Sequence, residues 1–282
     1  MKEIRLLILA IGLLFIGSCD DIEEPFIEYS GQCGDATLPI SIKQILIEEF
    51  TGHKCGYCPG GDETIELLKE LYCDHVIPVS IHTGIFAQTN SSGEYTYDYN
   101  TEDGNTISEF FGPSEYPSAI INRTEYNGDL TLGQSYWTSA VSELLLQEPV
   151  MDINIALSYN SGSRNLDVDI DAVFIDAMNE KLMLSVYFIE DSIVSWQKDY
   201  SLPSGEQDVE FYTHNHVFRD AVNSAWGEEI LNGQVNANDV KSKSYSYSVN
   251  TDWKIENCSI VAFVYKNDTK EVLQASQEHI MH

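Results

Sequence analysis

The sequence predicts an α/β domain followed by an all-β domain, the latter an antiparallel β-sandwich in outline. Two observations carry this expectation. Between Gln44 and Gln147, apolar extended runs alternate with segments at helical spacing in the order β-α-β-α-β-α, as in a layered α/β unit. Beyond Pro149 the pattern changes to short, strictly alternating runs separated by turn residues, as in two-sheet antiparallel folds. Pro149 is the expected boundary, giving domains over residues 43–149 and 150–282.

The N-terminus reads as a targeting segment. Lys2 and Arg5 precede an uncharged, mostly apolar run from Leu6 to Ser18. A bilayer span takes about 20 apolar residues, so a basic start and this shorter core read as a secretory signal over residues 1–18. The run ends Phe15-Ile16-Gly17-Ser18-Cys19 and resembles a lipobox, which implies cleavage before Cys19 and lipidation of that residue. Residues 19–42 then form a tether. Its acidic start, Asp20 to Glu24, resembles the surface-export tags of some diderm bacteria, or is a solvated linker. Removing 18 of 282 residues leaves 264, and with Lys2, Glu3 and Arg5 gone the net charge of -30 becomes -31. Lys+Arg number 15 against 45 Asp+Glu. Such a chain offers no basic face to phosphates, which excludes nucleic acid as a partner. The expected membrane contact is through the acyl chains alone.

The elements follow in order. Gln44–Phe50 is a strand, and Thr51–Lys54 a turn. Asp62–Cys73 is a helix with Ile65, Leu68 and Leu71 or Tyr72 on one face. His75–His82 is a buried strand, and residues 83–103 are a long polar loop. Thr106–Phe111 is a short helix, Ser118–Asn122 a strand and Gly133–Gln147 a helix. Asp152–Tyr159, Leu166–Asp171, Leu182–Ile189, Ser242–Asn250 and Ser259–Lys266 supply the strands of the second half.

The chemistry-bearing motif is Cys55-Gly56-Tyr57-Cys58-Pro59, between the first strand and first helix. Residues three apart on a first helical turn share a face, so the two sulfurs can meet. The helix N-terminus favours a thiolate, and His53 and Lys54 add potential positive charge. Pro59 suits the start of a helix, whereas Gly60-Gly61 suggests a loose entry. Three readings stand: a redox-capable dithiol, an inert structural disulfide, and half of a zinc site. The last needs two more ligands, for which His53 and His82 are candidates.

Leu46-Ile47-Glu48-Glu49-Phe50, four residues, then Cys-x-x-Cys resembles the thioredoxin superfamily over about residues 40–149. That fold places a cis-proline before a strand, facing the active-site cysteines, and Tyr116-Pro117 stands there. The resemblance implies that Cys55 is the exposed attacking thiolate, Cys58 the resolving thiol and Pro117 a backbone platform for a substrate strand. The interval from Cys58 to Pro117 is longer than usual, with 83–103 as the insertion. Lys54 replaces the aromatic residue that ordinarily precedes the first cysteine. Across the mature chain, the stretches Glu49–Pro59, Tyr116–Arg123 and His214–Arg219 resemble the Omp28 family of outer-membrane lipoproteins. That resemblance implies a thioredoxin-like domain followed by a β-rich domain. It also implies an outer-membrane location, lipid-anchored and facing the periplasm or the cell surface. Adhesion or receptor roles have been suggested for the family.

Among the remaining cysteines, Cys33 and Cys73 flank the first helix, and either bridge it to the entry loop or stand as independent thiols. Cys258 is expected to be a buried free thiol. His214 and His216, two apart, are expected on one face of a strand, packing rather than binding metal. Asp167, Asp169 and Asp171 form a solvated strand face without the spacing of a calcium loop. No cofactor and no metal are called for. Two functions remain, an envelope thiol–disulfide exchange protein acting on protein substrates, and a surface binding protein that uses the same fold as a scaffold for a ligand.

Overall fold

The computed structural model describes residues 42–281. The signal segment, Cys19, nearly all of the tether and Cys33 lie outside the described residues. The first half runs β1 (Ile45–Thr51), α1 (Cys58–Tyr72), β2 (Val76–His82), α2 (Glu102–Phe111), β3 (Ser118–Ile121), β4 (Leu132–Gly133) and α3 (Trp137–Leu144). The second half is strands with one 3-10 turn, Ile255–Asn257: β5 (Met151–Asn160), β6 (Asn165–Phe174), β7 (Met178–Glu190), β8 (Ile193–Lys198), β9 (Asp208–His214), β10 (Val217–Ala221), β11 (Glu228–Val235), β12 (Val240–Ser248), β13 (Cys258–Lys266) and β14 (Val272–His279). The fold is therefore mixed α/β with mostly antiparallel sheets.

One sheet crosses the Pro149 boundary. Its strand order is β14-β13-β7-β10-β2-β1-β3-β4, with β11 also on β7. The joint is parallel pairing of β10 with β2 at Val217 and Ser80. β1 and β2 are parallel and wholly buried, which is why both read as near-continuous apolar runs rather than alternating ones. Side chains still alternate between faces. Ile45 and Ile47 face α1 and α3, in a core with Ile65, Leu68, Trp137 and Val141. Leu46 and Phe50 face the other way, with Ile107 of α2 and Tyr187, Phe218 and Phe263 of the second half. The adjacent buried acids Glu48 and Glu49 therefore go to opposite faces. In the second half, a three-stranded sheet in the order β12-β6-β5 packs Leu166, Val168 and Ile170 onto Leu184, Val186, Phe188 and Ile260.

Several expected boundaries move. α1 starts at Cys58, not Asp62, because Gly60 and Gly61 are packed rather than loose. A methyl at Gly61 would lie 2.6 Å from Glu49 Oε1, 3.0 Å from Pro117 Cβ and 3.1 Å from Trp137 Cη2. α2 starts earlier, at Glu102, because the Thr101 hydroxyl accepts from the Gly104 amide and caps it. The helix expected from Gly133 is shortened to α3, since Leu132–Gly133 pairs with β3 and a 3-10 turn follows. Strands β4, β8, β10, β11 and β14 have no counterpart among the expected elements, and β9 is expected only as a strand through His214 and His216.

The Gly61 packing gives a first expected result. Ala normally stabilises a helix interior relative to Gly by about 1 kcal/mol. Here Gly61→Ala should instead cost about 1–3 kcal/mol by overpacking, measured as a lower urea midpoint. A raised midpoint would show that the contact with Glu49 and Pro117 is not tight.

Candidate functional site

The chain leaves the C-terminal end of β1, turns through His53 and Lys54, and enters α1 at Cys58. The Cys55 and Cys58 sulfurs sit at disulfide distance, with the Cα atoms 5.4 Å apart. The Tyr116–Pro117 peptide is cis. Pro117 precedes β3, whose Ser118 pairs with Phe50 at the end of β1, and its ring lies against Gly61, one turn into α1 beyond Cys58. The three residues singled out from sequence, Cys55, Cys58 and Pro117, thus gather at one end of β1 and β3.

Below this turn lies Glu49. Its Oε2 accepts from the Ser80 hydroxyl at 2.9 Å, and its buried Oε1 has no partner. Burial, and then the Asp62 carboxyl, push Glu49 well above the usual carboxylate range. Burial also raises Asp62, to about 6, against the opposing effect of the Tyr212 hydroxyl that it accepts from. Both causes favour the protonated form of Glu49.

Cys55, expected at an exposed helix edge, is instead buried, at 2 % exposed, with Cys58 at 1 %. The cause is a two-stranded ribbon, β8 and β9, contributed by the second half. Its strand end lies along the motif. The Lys198 amide donates to His53 O at 2.8 Å and the Tyr200 amide to Gly56 O at 2.7 Å. The buried Gln197 side chain donates to Cys55 O at 2.9 Å. The Tyr200 ring lies on Gly56, where a methyl would come within 2.4–2.6 Å of three ring carbons, and meets Tyr57 edge-on at 5.2 Å.

Beside the disulfide loop is a cluster of buried histidines that sequence reading did not assemble. His53, His82 and His214 surround Tyr99: His82 stacks on it at 4.4 Å, while His214 and His53 lie at 4.7 and 5.6 Å. His53 Nε2 donates to Gln88 O, leaving Nδ1 bare; His82 Nδ1 and His214 Nε2 are likewise buried without partners. Burial pushes His53 down, His82 well down and His214 to about 3. All three are neutral at pH 7. The alternating Tyr95, Tyr97 and Tyr99 were the available signal that the 83–103 segment is anchored rather than a free polar loop.

His214 and His216 do not share a strand face. β9 ends at His214, and His216 turns with φ +56° into a different environment. There its Nδ1 lies 3.0 Å from Asp191 and its Nε2 3.2 Å from Glu66. Burial disfavours its charge, but the two carboxylates outweigh burial and raise it above its ordinary value. His216 lines an open cleft of about 680 Å³ between α1 and β9, with Asp62, Glu66, Lys69, Glu70 and Tyr212.

Elsewhere, Cys258 is a buried free thiol. Cys73, at the end of α1, is disulfide-bonded, and its expected partner Cys33 is outside the described residues. Asp167, Asp169 and Asp171 each accept from a serine of β12, Ser246, Ser244 and Ser242, along an exposed face.

The sequence model of the family described as outer membrane protein Omp28 matches residues 104–282, more than half of the chain, beginning past the Cys55–Cys58 loop. Among solved structures, HBP35 of Porphyromonas gingivalis aligns over 85% of this chain and 76% of its own, with TM-score 0.60 and 17% identity. A protein of Agrobacterium tumefaciens aligns over 85% of this chain and 96% of its own, with TM-score 0.51 and 13% identity. At these identities both report on fold alone. A domain of the outer membrane lipoprotein Omp28 from P. gingivalis is 27% identical over 47% of this chain and 96% of its own, with TM-score 0.33. No curated protein matches the sequence.

Proposed function

Because the chain belongs to the Omp28 family of outer membrane proteins, we propose that it is a lipoprotein, anchored through Cys19, whose first half is a thioredoxin-like unit competent for thiol–disulfide exchange. It resides at the outer membrane. The second half, residues 150–282, is read as a sandwich-like β unit sharing the sheet. The observation that carries the exchange reading is the Cys55–Cys58 pair at the start of α1, above the buried Glu49, whose burial favours its protonated form, and beside Pro117.

The step is a balanced exchange. A client thiolate attacks Cys55 Sγ; the Cys55–Cys58 bond breaks and Cys58 leaves as a thiolate. A second client thiolate attacks its own sulfur in the mixed disulfide and releases Cys55. Two electrons and two protons pass from the client dithiol to the cysteine pair, and the client becomes a disulfide. The reverse reduces a client. Glu49, under the first turn of α1, is read as a group that supplies and recovers a proton there, and the start of α1 stabilises the thiolate.

Cys58→Ser leaves Cys55 unable to resolve and should accumulate Cys55-linked mixed disulfides with envelope proteins. Cys55→Ser should accumulate few. Non-reducing gels followed by mass spectrometry of the linked peptides make the comparison. If neither variant captures a partner, the exchange reading fails. The surface-binding reading then takes precedence, with the open cleft beside His216 as its place.

A further inference from the structure

The β8–β9 ribbon is separate from the main sheet, yet its end is bonded to the redox loop. Three consecutive-side acceptors of that loop, the carbonyls of His53, Cys55 and Gly56, are all taken by Lys198, Gln197 and Tyr200. Those carbonyls are therefore already taken where an extended polypeptide lying beside Cys55 would find backbone acceptors. The ribbon is also tied down on its β9 side. Asp208, paired across the ribbon with the Lys198 ammonium at 2.7 Å, accepts from the Tyr95 hydroxyl, and Tyr212 donates to Asp62 on α1. The turn between the strands, around Gly205, makes no comparable anchor. Its glycine has φ +97° and nothing within 4 Å of where a side chain would begin.

We propose that Gln197–Tyr200 is a built-in strap that occupies the client's place beside the Cys55–Cys58 disulfide, and that exchange requires its displacement. The inference rests on the exchange reading and adds what that reading lacks, namely how a disulfide with both sulfurs buried meets a thiol. A thiolate must contact the sulfur that it attacks, and Cys55 is 2 % exposed. Reaction therefore proceeds from a locally opened form, and its rate follows the population of that form. The strap's chemistry also defines what replaces it. The entering chain is an extended polypeptide segment that gives backbone amides to His53 O and Gly56 O and lays a flat side chain on Gly56. A client with its thiols in a compact, folded loop cannot do so.

Gly56 and Tyr200 allow the contact to be broken from either side. Tyr200→Gly removes the ring. Gly56→Ala leaves the strap unaltered but puts a methyl where three ring carbons now sit; the backbone at Gly56 is not in the left-handed region, so Ala fits its conformation. The full-length protein is treated with dithiothreitol. The reagent is oxidised to its cyclic disulfide, and Cys55 and Cys58 gain two electrons and two protons. Freed thiols are alkylated and the Cys55–Cys58 peptide is followed by mass spectrometry, so that reduction elsewhere does not enter the readout. Each single variant should be reduced at least about tenfold faster than wild type, as expected when a local opening is made easier. Tyr200→Phe, which keeps the ring, should match wild type. The double variant should be no faster than Tyr200→Gly alone, since the methyl then has no ring to displace. Rates within twofold of wild type in both single variants, or effects that multiply in the double, overturn the strap. Capture of clients by Cys58→Ser with unaltered reduction rates refutes the strap and leaves exchange standing. Faster reduction in the strap variants, with no client captured even when Cys58→Ser is combined with Tyr200→Gly, supports the strap and refutes exchange.

Discussion

Replacing Arg123 by Met, or Glu48 by Met, should each destabilise the protein by about 3–5 kcal/mol, the cost of stranding one partner of a buried ion pair. Arg123 donates through Nε and Nη2 to both oxygens of Glu48, each at 2.7 Å, and both side chains are wholly buried. The guanidinium also donates to the Tyr187 hydroxyl at 3.2 Å. The rings of Phe111, Trp226, Phe263 and Tyr265 surround it at 4.9–5.6 Å. These groups come from β1, the end of α2, β7, β13 and the segment before β11, so the pair sits where the two halves meet. Arg123→Lys should fail to rescue, because an ammonium cannot donate two parallel bonds or lie flat among rings. The double variant Glu48→Met with Arg123→Met should lose clearly less than the sum of the single losses. Urea denaturation of the four proteins measures this. A single variant within about 1 kcal/mol of wild type would show that the pair contributes little.

The second large effect concerns acid. For a histidine whose folded value lies below its unfolded one, the stabilisation is complete above about pH 6.5 and is lost as pH falls below that, toward the folded value. His214, held to about 3, should alone forfeit about 2 kcal/mol between pH 7 and pH 5. His82, also held well down, adds in the same direction. Other groups oppose this. Glu49 and Asp62 have raised values and gain stability as they protonate, and raised His216 contributes most below its unfolded value. The wild-type profile is therefore a sum, and the decisive comparison is with His214→Phe, which keeps a ring beside Tyr99 but cannot charge. Its stability should fall less than that of wild type between pH 7 and pH 5, by about 2 kcal/mol. Parallel profiles would mean that His214 titrates normally. Because His214 ends the ribbon over the disulfide, the acid limb should also appear in how readily that disulfide is reduced.

What could be read from the chain beforehand was what short periodicity encodes. β1, α1, β2 and the alternating strands β5, β6 and β12 were visible because each buries one regular set of positions. The coming together of Cys55, Cys58 and Pro117 was legible through spacing and resemblance. The ribbon over them was not. β9, Asp208–His214, is mostly polar or exposed and gives no burial pattern, and no local signal says that Gln197 and Tyr200 bond to residues some 140 positions earlier. The separation of His214 from His216 hinged on one left-handed residue, which the sequence gives no glycine to announce. The roles of Glu48 and Glu49 were invisible for another reason. Two adjacent acids in an apolar strand look alike, and only the faces they take make one an ion-pair partner and leave the other buried without a cation.

The parallel seam between β2 and β10 has a consequence for how the molecule is made. Ser80 must wait for Val217 to emerge before the sheet behind the cysteines can close, and every strand of the first half except β2 finds its partners earlier. Until then β2 presents an open edge of backbone donors and acceptors, a template for unwanted pairing. Contacts this distant along the chain are slow to form. A chain emerging from its N-terminus therefore carries this edge unpaired until Val217 follows, with β13 and β14 of the same sheet later still. A fragment stopping at Pro149 should be aggregation-prone for the same reason, however complete its own elements look.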